Sequence, residues 1–347
     1  MIRKVNLIIL VLVMSVLALQ GCAESPAATP ETMPDLGKIR VGYVPVIAPI
    51  YIAYEKGYFK EQGLDVELIP FDSGAKMVAA LGAGQLDVGS GEAGTALLNA
   101  IDQGFDVQVV MGTGSMPKGY GPNPFLVRKD LYDSGEITEP ADLKGKKVAV
   151  NIPRGMVEYL VSEVLAKGGL TIDDVELVVL PFPEMLAAFA NKAIDAAILT
   201  EPLASQAVKD GAAVILVGGD EIVDRMQISV MYFGKRLLDP VNWEVGVRYL
   251  MGHLKAMREV YGDGWKNEDI AGIVSEYTHI QVPVIQNSVK PYSEPNGAIN
   301  EATIENVQKY FIERGYVDYD QVIPLSDMLN PDFLEEALKR IGTFDEE

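Results

Sequence analysis

The chain has 347 residues, of which 48% are hydrophobic and 22% are charged, values typical of a globular protein long enough for two domains. Its formal net charge of −20 at pH 7 argues against nucleic-acid binding, because a phosphate backbone would be repelled. The same charge disfavours electrostatic attachment to an anionic membrane.

The first 21 residues have the layout of a secretory signal peptide. Arg3 and Lys4 precede an apolar run over 7–19, and small residues precede the expected cleavage point. A transmembrane helix needs about 20 apolar residues, so this run is short for one. The sequence therefore predicts export, with an uncleaved N-terminal anchor as an alternative.

Cys22 is the only cysteine and lies where cleavage would fall. Together with the preceding Leu19-Gln20-Gly21 it resembles a bacterial lipobox, in which the cysteine is acylated and becomes the new N-terminus. We expect a lipid anchor at Cys22, on the periplasmic or outer face of the cytoplasmic membrane, and a flexible linker over 22–37. The alternative is a soluble secreted protein.

The body of the chain contains an internal repeat of strand, helix, strand, helix and strand. The predicted strands are 39–43, 65–71 and 86–89 in the first copy, and 147–151, 174–182 and 194–198 in the second. The predicted helices are 52–59, 77–81, 157–166 and 185–189. This order predicts two α/β lobes, each a mainly parallel sheet flanked by helices, with the ligand cleft at the carboxyl ends of the strands.

Two connections between the copies are predicted to form a hinge. The Gly- and Pro-rich segment 112–124 leads into a strand over 125–128, and 220–225 leads into a strand over 228–233. We predict that lobe 1 begins with 38–128, that lobe 2 comprises 129–228, and that 229–347 completes lobe 1. The last part contains predicted helices that we expect to pack on lobe 1, over 245–261, 267–277, 301–314 and 331–341.

Short motifs occur along most of the body, from about residue 38 to about residue 317. They are Gly42-Tyr43, 53–59 (AYEKGYF), 63–66 (GLDV), 83–89 (AGQLDVG), 142–148 (DLKGKKV) and Glu201-Pro202. With these motifs the chain resembles the solute-binding proteins of nitrate, sulfonate and taurine importers, and their relatives that bind thiamine-pyrimidine precursors. The resemblance implies a type II periplasmic-binding-protein fold with two crossover strands, and delivery of a small solute to an ABC permease with its ATPase.

Three loops of lobe 1 are predicted to face the cleft. The predicted ligand-binding residues there are Tyr43, Val46, Asp72, Ser73, Gly74, Ser90, Gly91 and Glu92. Asp72 or Ser73 is suited to capping the next helix, and capping alone is the alternative role for both. The glycines around Glu92 would let a ligand approach a helix N-terminus, which favours an anionic group.

Lobe 2 and the connections supply the other candidates. These are Tyr120, Asn151, Arg154, Gly155, Glu184, Thr200, Glu201 and Tyr232. The planar fork of Arg154 suits a carboxylate, sulfonate or phosphate, and a surface arginine is the alternative. The resemblance implies that Glu201 receives an N–H or cationic group. For Tyr43, Tyr120 and Tyr232 two roles stay open: contact with the ligand, or packing against other residues.

Relatives often carry Ser or Thr after the glycine that corresponds to Gly155, whereas Met156 and Val157 follow it here. This difference and the excess of acids over bases among the cleft candidates favour a small organic ligand with a donor-rich or cationic part. A sulfonate or taurine-like compound, a pyrimidine precursor and an aromatic acid all stay open.

Groups that would support catalysis are scarce. His253 and His279 both lie in the predicted tail without metal-ligand spacing, Cys22 is used in processing, and no phosphate-binding P-loop occurs. We expect a monomeric binding protein without cofactor or metal. The alternatives are an exported enzyme on the same fold and a ligand sensor for a membrane receptor.

Overall fold

Two five-stranded β-sheets organise the computed structural model, which describes residues 36–44, 48–289 and 291–345. The strands are β1 (Lys38–Tyr43), β2 (Asp65–Pro70), β3 (Val88–Gly91), β4 (Val107–Met116), β5 (Phe125–Arg128), β6 (Lys147–Val150), β7 (Glu176–Val179), β8 (Ala196–Ile198), β9 (Ala213–Val217) and β10 (Met226–Gly234). The strand order is β2-β1-β3-β10-β4 in the first sheet and β7-β6-β8-β5-β9 in the second.

Each sheet has four strands in one direction and one strand in the opposite direction. The antiparallel strand is β10 in the first sheet and β5 in the second. These are the strands on which the chain arrives from the other sheet, by the connections after β9 and after β4. The predicted fold of two α/β lobes with mainly parallel sheets and two crossovers is therefore confirmed.

Helices cover both sheets and form most of the C-terminal region. In the first two thirds of the chain they are α1 (Ala48–Glu55), α2 (Tyr58–Glu61), α3 (Gly74–Gly82), α4 (Thr95–Asp102), α5 (Lys129–Asp133), α6 (Met156–Lys167), α7 (Phe182–Ala190), α8 (Leu203–Lys209) and α9 (Gly219–Ile222). The remainder are α10 (Lys235–Leu238), α11 (Trp243–Val260), α12 (Glu268–Thr278), α13 (Val282–Asn287), α14 (Glu301–Glu313), α15 (Leu325–Met328) and α16 (Asp332–Ile341). Central strand residues such as Val41 and Val148 are fully buried, as expected for sheets covered on both faces.

The repeated Leu/Ile-Asp motif has a structural reason. Asp87 is completely buried, and it accepts hydrogen bonds from the backbone N–H of Arg40 at 2.8 Å and from its guanidinium at 2.9 Å. In the second sheet Asp195 accepts from the backbone N–H of Lys147 at 2.9 Å and from Arg128 at 2.9 Å. In both lobes this aspartate thus connects the residue just before one strand, β3 or β8, to the neighbouring strand, β1 or β6.

Two local predictions were wrong. The segment 112–124 was expected to be a turn, but Gly112–Met116 continues β4, because this stretch pairs with β10 over its whole length. The helix expected over 52–59 is two helices, since Gly57 has a left-handed φ of 75° that separates α1 from α2.

The C-terminal helices contact both lobes rather than the first lobe alone. Helix α11 packs on α1 and α2, as predicted, but α13 contacts α8 of the second lobe. Arg314, just after α14, forms two 2.9 Å contacts with Asp173 of the second lobe. The division of the chain at 128 and 228 remains a prediction.

Within the three described ranges, no helix combines the length and the apolar character needed to cross a membrane. The predicted signal peptide and Cys22 lie outside the described residues.

Candidate functional site

A cavity of about 140 Å³ lies between the two sheets. Its walls come from strand ends and helix starts of both lobes, from the connections between them and from the C-terminal region. The volume resembles that of a cavity of ~150 Å³ that holds one benzene molecule, so the space suits a ligand about the size of a single ring.

Eight of the predicted site residues line this cavity. They are Asp72, Ser73, Gly74, Gly91, Glu92, Asn151, Thr200 and Glu201. They lie at the carboxyl ends of strands or at the helix starts that follow, because those ends of both sheets face each other across the cavity. Whether they contact the ligand stays a prediction.

Three further predicted residues are buried directly behind the lining. Ser90 and Tyr232 are fully buried, and neither side-chain oxygen has a hydrogen-bond partner. Gly155 is the N-cap of α6 and is buried as well. Burial raises the pKa of Tyr232 far above its ordinary value, and the nearby Glu92 contributes to this rise.

The other predicted residues lie outside the lining. Tyr43 packs edge-on against Tyr51, and Tyr120 packs edge-on against Tyr292. Glu184 is exposed in the first turn of α7. Val46 falls outside the described residues.

Arg154 does not lie where an oxyanion partner in the cleft was expected. The residue is exposed, has a left-handed φ of 58°, and donates its backbone N–H to Glu158 at 2.7 Å. Its guanidinium lies 5.3 Å from the ring centroid of Tyr316. The position therefore fits the alternative role of a surface arginine.

The expected helix cap at the start of α3 is also different. Ser73 is the N-cap, but its side chain makes no capping hydrogen bond. Asp72 instead accepts a hydrogen bond from the ammonium of Lys76. Ser73 is 8% exposed, so its hydroxyl is a buried group on the cavity wall.

Glu92 follows β3 directly and reaches across to the second lobe. Its Oε2 accepts a 3.1 Å hydrogen bond from the backbone N–H of Met156, the first residue of α6. A Cβ built on Gly94 would lie 3.0 Å from Glu92 Oε1, and one on Gly155 would lie 3.2 Å from it. Burial raises the pKa of Glu92 to about 7, while the hydrogen bond from Met156 acts in the opposite direction.

Glu201 follows β8 and is 4% exposed. Its carboxylate accepts hydrogen bonds from Ser205 N at 3.1 Å, from Ser205 Oγ at 3.0 Å and from Val289 N at 3.3 Å. The bond from Val289 ties the second lobe to the C-terminal region. Burial raises the pKa of Glu201 to about 7, although all three donors lower it.

The described part of the lining contains acids but no Lys, Arg or His. Apolar and aromatic residues such as Leu160 and Phe182 form much of the wall. The side-chain oxygens of Asn123 and Asn151 are buried without a hydrogen-bond partner. Polar groups that converge in a largely apolar cavity are typical of a small-molecule site.

Neither histidine lines this cavity. His253 is buried in α11, and burial lowers its pKa to about 3, so it is neutral at physiological pH. His279 follows α12. Within the described ranges, no group of three or more His, Cys, Asp or Glu side chains is arranged to hold a metal ion.

Comparison with known proteins identifies the family. The model of the NMT1-like family matches residues 33–275. The chain belongs to the NMT1-like family. Among relatives of this NMT1-like chain is a Brucella abortus (strain 2308) protein named as a binding protein, 32% identical over 180 residues, or 48% of each chain. The chain thus matches about half the length of that relative.

Two other similar proteins are matched over most of their length. The taurine-binding periplasmic protein of Escherichia coli (strain K12) is 26% identical over 311 residues, which cover 82% of the NMT1-like chain and 91% of the relative. The structure of the periplasmic nitrate-binding protein from Synechocystis PCC 6803 superposes with a TM-score of 0.76 at 18% identity, covering 89% and 90% of the two chains. At this identity the second likeness concerns the fold alone.

Sequence reasoning missed the part of this NMT1-like cavity that the C-terminal region supplies. Trp265, Pro291, Tyr292 and Ser293 line the wall. Trp265 is held by a 2.8 Å hydrogen bond from its Nε1 to Ser288 Oγ. No local pattern marks these residues, because they reach the cavity only through the packing of α12 and α13.

Proposed function

We propose that the protein is an extracytoplasmic solute-binding protein that encloses one small organic molecule between its lobes and delivers it to an ABC permease with its ATPase. The observation that carries this proposal is the single-ring-sized cavity whose walls come from the facing strand ends of both sheets. Membership of the NMT1-like family supports it, because relatives include a taurine-binding periplasmic protein. The predicted hinge connections would allow the lobes to separate for ligand entry.

The candidate ligands are a sulfonate or taurine-like compound, a pyrimidine precursor and an aromatic acid. A cavity of about 140 Å³ is compatible with each of these sizes. The largely apolar wall would contact the body of the ligand, and the carboxylates of half-buried Glu92 and buried Glu201 would select its polar groups.

We also propose that the protein is exported and anchored through Cys22, and that it acts as a monomer. The signal-like sequence before Cys22 supports the export and the anchor. Expression of the full gene in a bacterium, followed by mass spectrometry of the mature N-terminus, tests the anchor. We expect an acylated Cys22 in membrane fractions and a Cys22→Ala variant that is not acylated. An unmodified wild-type protein in the soluble fraction would contradict this part.

Ligand binding is tested by thermal-shift screening of the full chain against taurine, alkanesulfonates, nitrate, aminopyrimidines and aromatic acids, followed by calorimetry. A ligand at a hundred times its Kd stabilises the folded state by about 2.7 kcal/mol. We expect one site per chain, recovery of unchanged ligand, and weaker binding by Glu201→Ala. Glu335→Ala, an exposed acid on α16, is the matched control.

Three results would change the conclusion. Conversion of the ligand to a product would favour an exported enzyme. Binding coupled to a receptor kinase rather than to uptake would favour a sensor. If no compound of the panel binds, the proposed solute-binding function is contradicted.

A further inference from the structure

Three helix N-termini converge on the side chain of Glu92. Gly74 begins α3, Gly94 is the N-cap of α4 and Gly155 is the N-cap of α6. A Cβ added to any of these glycines would lie within 3.8 Å of a Glu92 side-chain atom. At Gly94 and Gly155 this distance is 3.0 and 3.2 Å to Oε1, so the absence of these two side chains leaves space for the carboxylate, whereas at Gly74 it is an ordinary contact of 3.8 Å with Cγ.

The surroundings of the Glu92 carboxylate suit an anion. Helix starts carry a partial positive charge and backbone N–H groups without intrahelical partners. Two of the N-caps are glycines and the third, Ser73, makes no capping hydrogen bond, and Met156 N–H, at the start of α6, donates to Glu92. A negatively charged ligand would normally be bound by such a group of N-termini. Here the chain's own carboxylate occupies the position.

The rest of the lining also offers acceptors rather than positive charge. Glu201 is 4% exposed on the opposite lobe, and Asn123, 8% exposed, has a side-chain oxygen without a partner. The described lining contains no cationic side chain, and Arg154 contacts Tyr316 outside the cavity. An oxyanion in the cavity would meet the carboxylates of Glu92 and Glu201, and the described lining residues offer no side-chain cation that would balance them.

We propose that Glu92 determines ligand selectivity by filling the oxyanion position, so that the site takes a small amine, amidine or related nitrogen compound whose N–H groups face Glu92 and Glu201. This inference rests on the proposed solute-binding function. It distinguishes the chain from binding proteins whose ligand supplies its own anionic group at the helix N-termini. The side-chain amides of the asparagines can present either their oxygen or their nitrogen to a ligand, and they are uncharged. The preference for a cationic or an anionic ligand therefore depends on the carboxylates.

The test is a selectivity swap with two substitutions of different kind. Glu92→Ala empties the position at the three N-termini, whereas Glu92→Gln removes the charge but keeps the volume. The probes are nitrate and methanesulfonate as oxyanions, and ethylammonium, acetamidinium and guanidinium as nitrogen cations. Binding is measured by calorimetry on the full chain in a buffer free of sulfonates and primary amines, with circular dichroism to verify folding.

We expect wild type to bind at least one nitrogen probe and neither oxyanion. Glu92→Ala should lose at least tenfold in affinity for that nitrogen probe and gain at least tenfold for an oxyanion. Glu92→Gln should lose the nitrogen probe without gaining the oxyanion, because the amide still fills the space. Glu335→Ala, which removes an exposed acid far along the chain, should match wild type.

The contrary outcomes separate the two proposals. Tight oxyanion binding by wild type that Glu92→Ala leaves unchanged would overturn the inference and preserve the solute-binding function. Oxyanion binding by wild type that is lost in Lys290→Met would also overturn the inference and preserve the solute-binding function. Lys290 is chosen because it precedes the lining residue Pro291 in the chain; it lies outside the described residues. If no probe or other small molecule binds wild type or variants, both proposals fail.

Discussion

Replacement of Glu201 by glutamine isolates the effect of one buried charge on folding. The side chain is 4% exposed, and glutamine has nearly the same volume. The carboxylate accepts hydrogen bonds from Ser205 and Val289, which favour ionisation, but burial outweighs them and raises its pKa from 4.5 to about 7. Between pH 4.5 and about pH 7, Glu201 should therefore be mainly protonated in the folded protein and mainly ionised in the unfolded chain.

The sign and size of the effect follow from linkage. Below pH 4.5 the group is protonated in both states, so ionisation contributes no penalty. Above pH 7 it is charged in both states, and the folded protein carries the full cost of a buried charge. A pKa difference of about 2.5 corresponds to about 3 kcal/mol. Relative to Glu201→Gln, wild type should lose about 3 kcal/mol of stability as the pH rises from 4.5 to 8.

The assay is urea unfolding followed by circular dichroism at pH 4.5, 6, 7 and 8 for both proteins. The quantity of interest is the pH dependence of the difference in unfolding free energy, because a hydrogen bond lost to the amide shifts all points equally. Glu335→Gln is the control for removal of an exposed glutamate. A difference that stays constant within about 0.5 kcal/mol over this range would refute the reasoning that Glu201 is desolvated in the folded state.

Three further predictions concern stability and use the urea midpoint. Arg40→Ala should cost about 2 kcal/mol, because the fully buried Asp87 would lose its closest cationic partner and keep the longer, 3.4 Å contact with Arg236, and a cost below 1 kcal/mol would contradict this role. Tyr249→Phe should raise the free energy of unfolding by about 1 kcal/mol, since the buried hydroxyl has no hydrogen-bond partner. A lower free energy of unfolding would show that the hydroxyl does have such a partner. Gly112→Ala should cost about 3 kcal/mol, because its Cβ would lie 2.1 Å from the carbonyl oxygen of Ala298, and wild-type stability would show that the backbone shifts freely.

The fold could be predicted because its signals are local and repeated. The predicted strands 125–128 and 147–151 are short apolar segments bounded by turn residues, and the structure places β5 (Phe125–Arg128) and β6 (Lys147–Val150) there. The duplicated order of strand and helix limits the topology to two right-handed α/β units. Strands β4 and β9 were missed. Over Gly112–Met116 the glycines are typical of a turn, and only pairing with β10 makes this half of β4 extended.

The sequence by itself determined that two α/β lobes present their strand ends, with Glu92 and Glu201 in the loops at those ends. Only the tertiary structure decided what these loops contact. The bond from Met156 to Glu92 joins residues 64 positions apart, and the cavity wall at Trp265 comes from the C-terminal region. Arg154 lies over Tyr316 for the same reason, since its surroundings come from a distant part of the chain. Local sequence sets strand and helix periodicity, whereas the packing of one lobe against the other sets which side chains share a cavity.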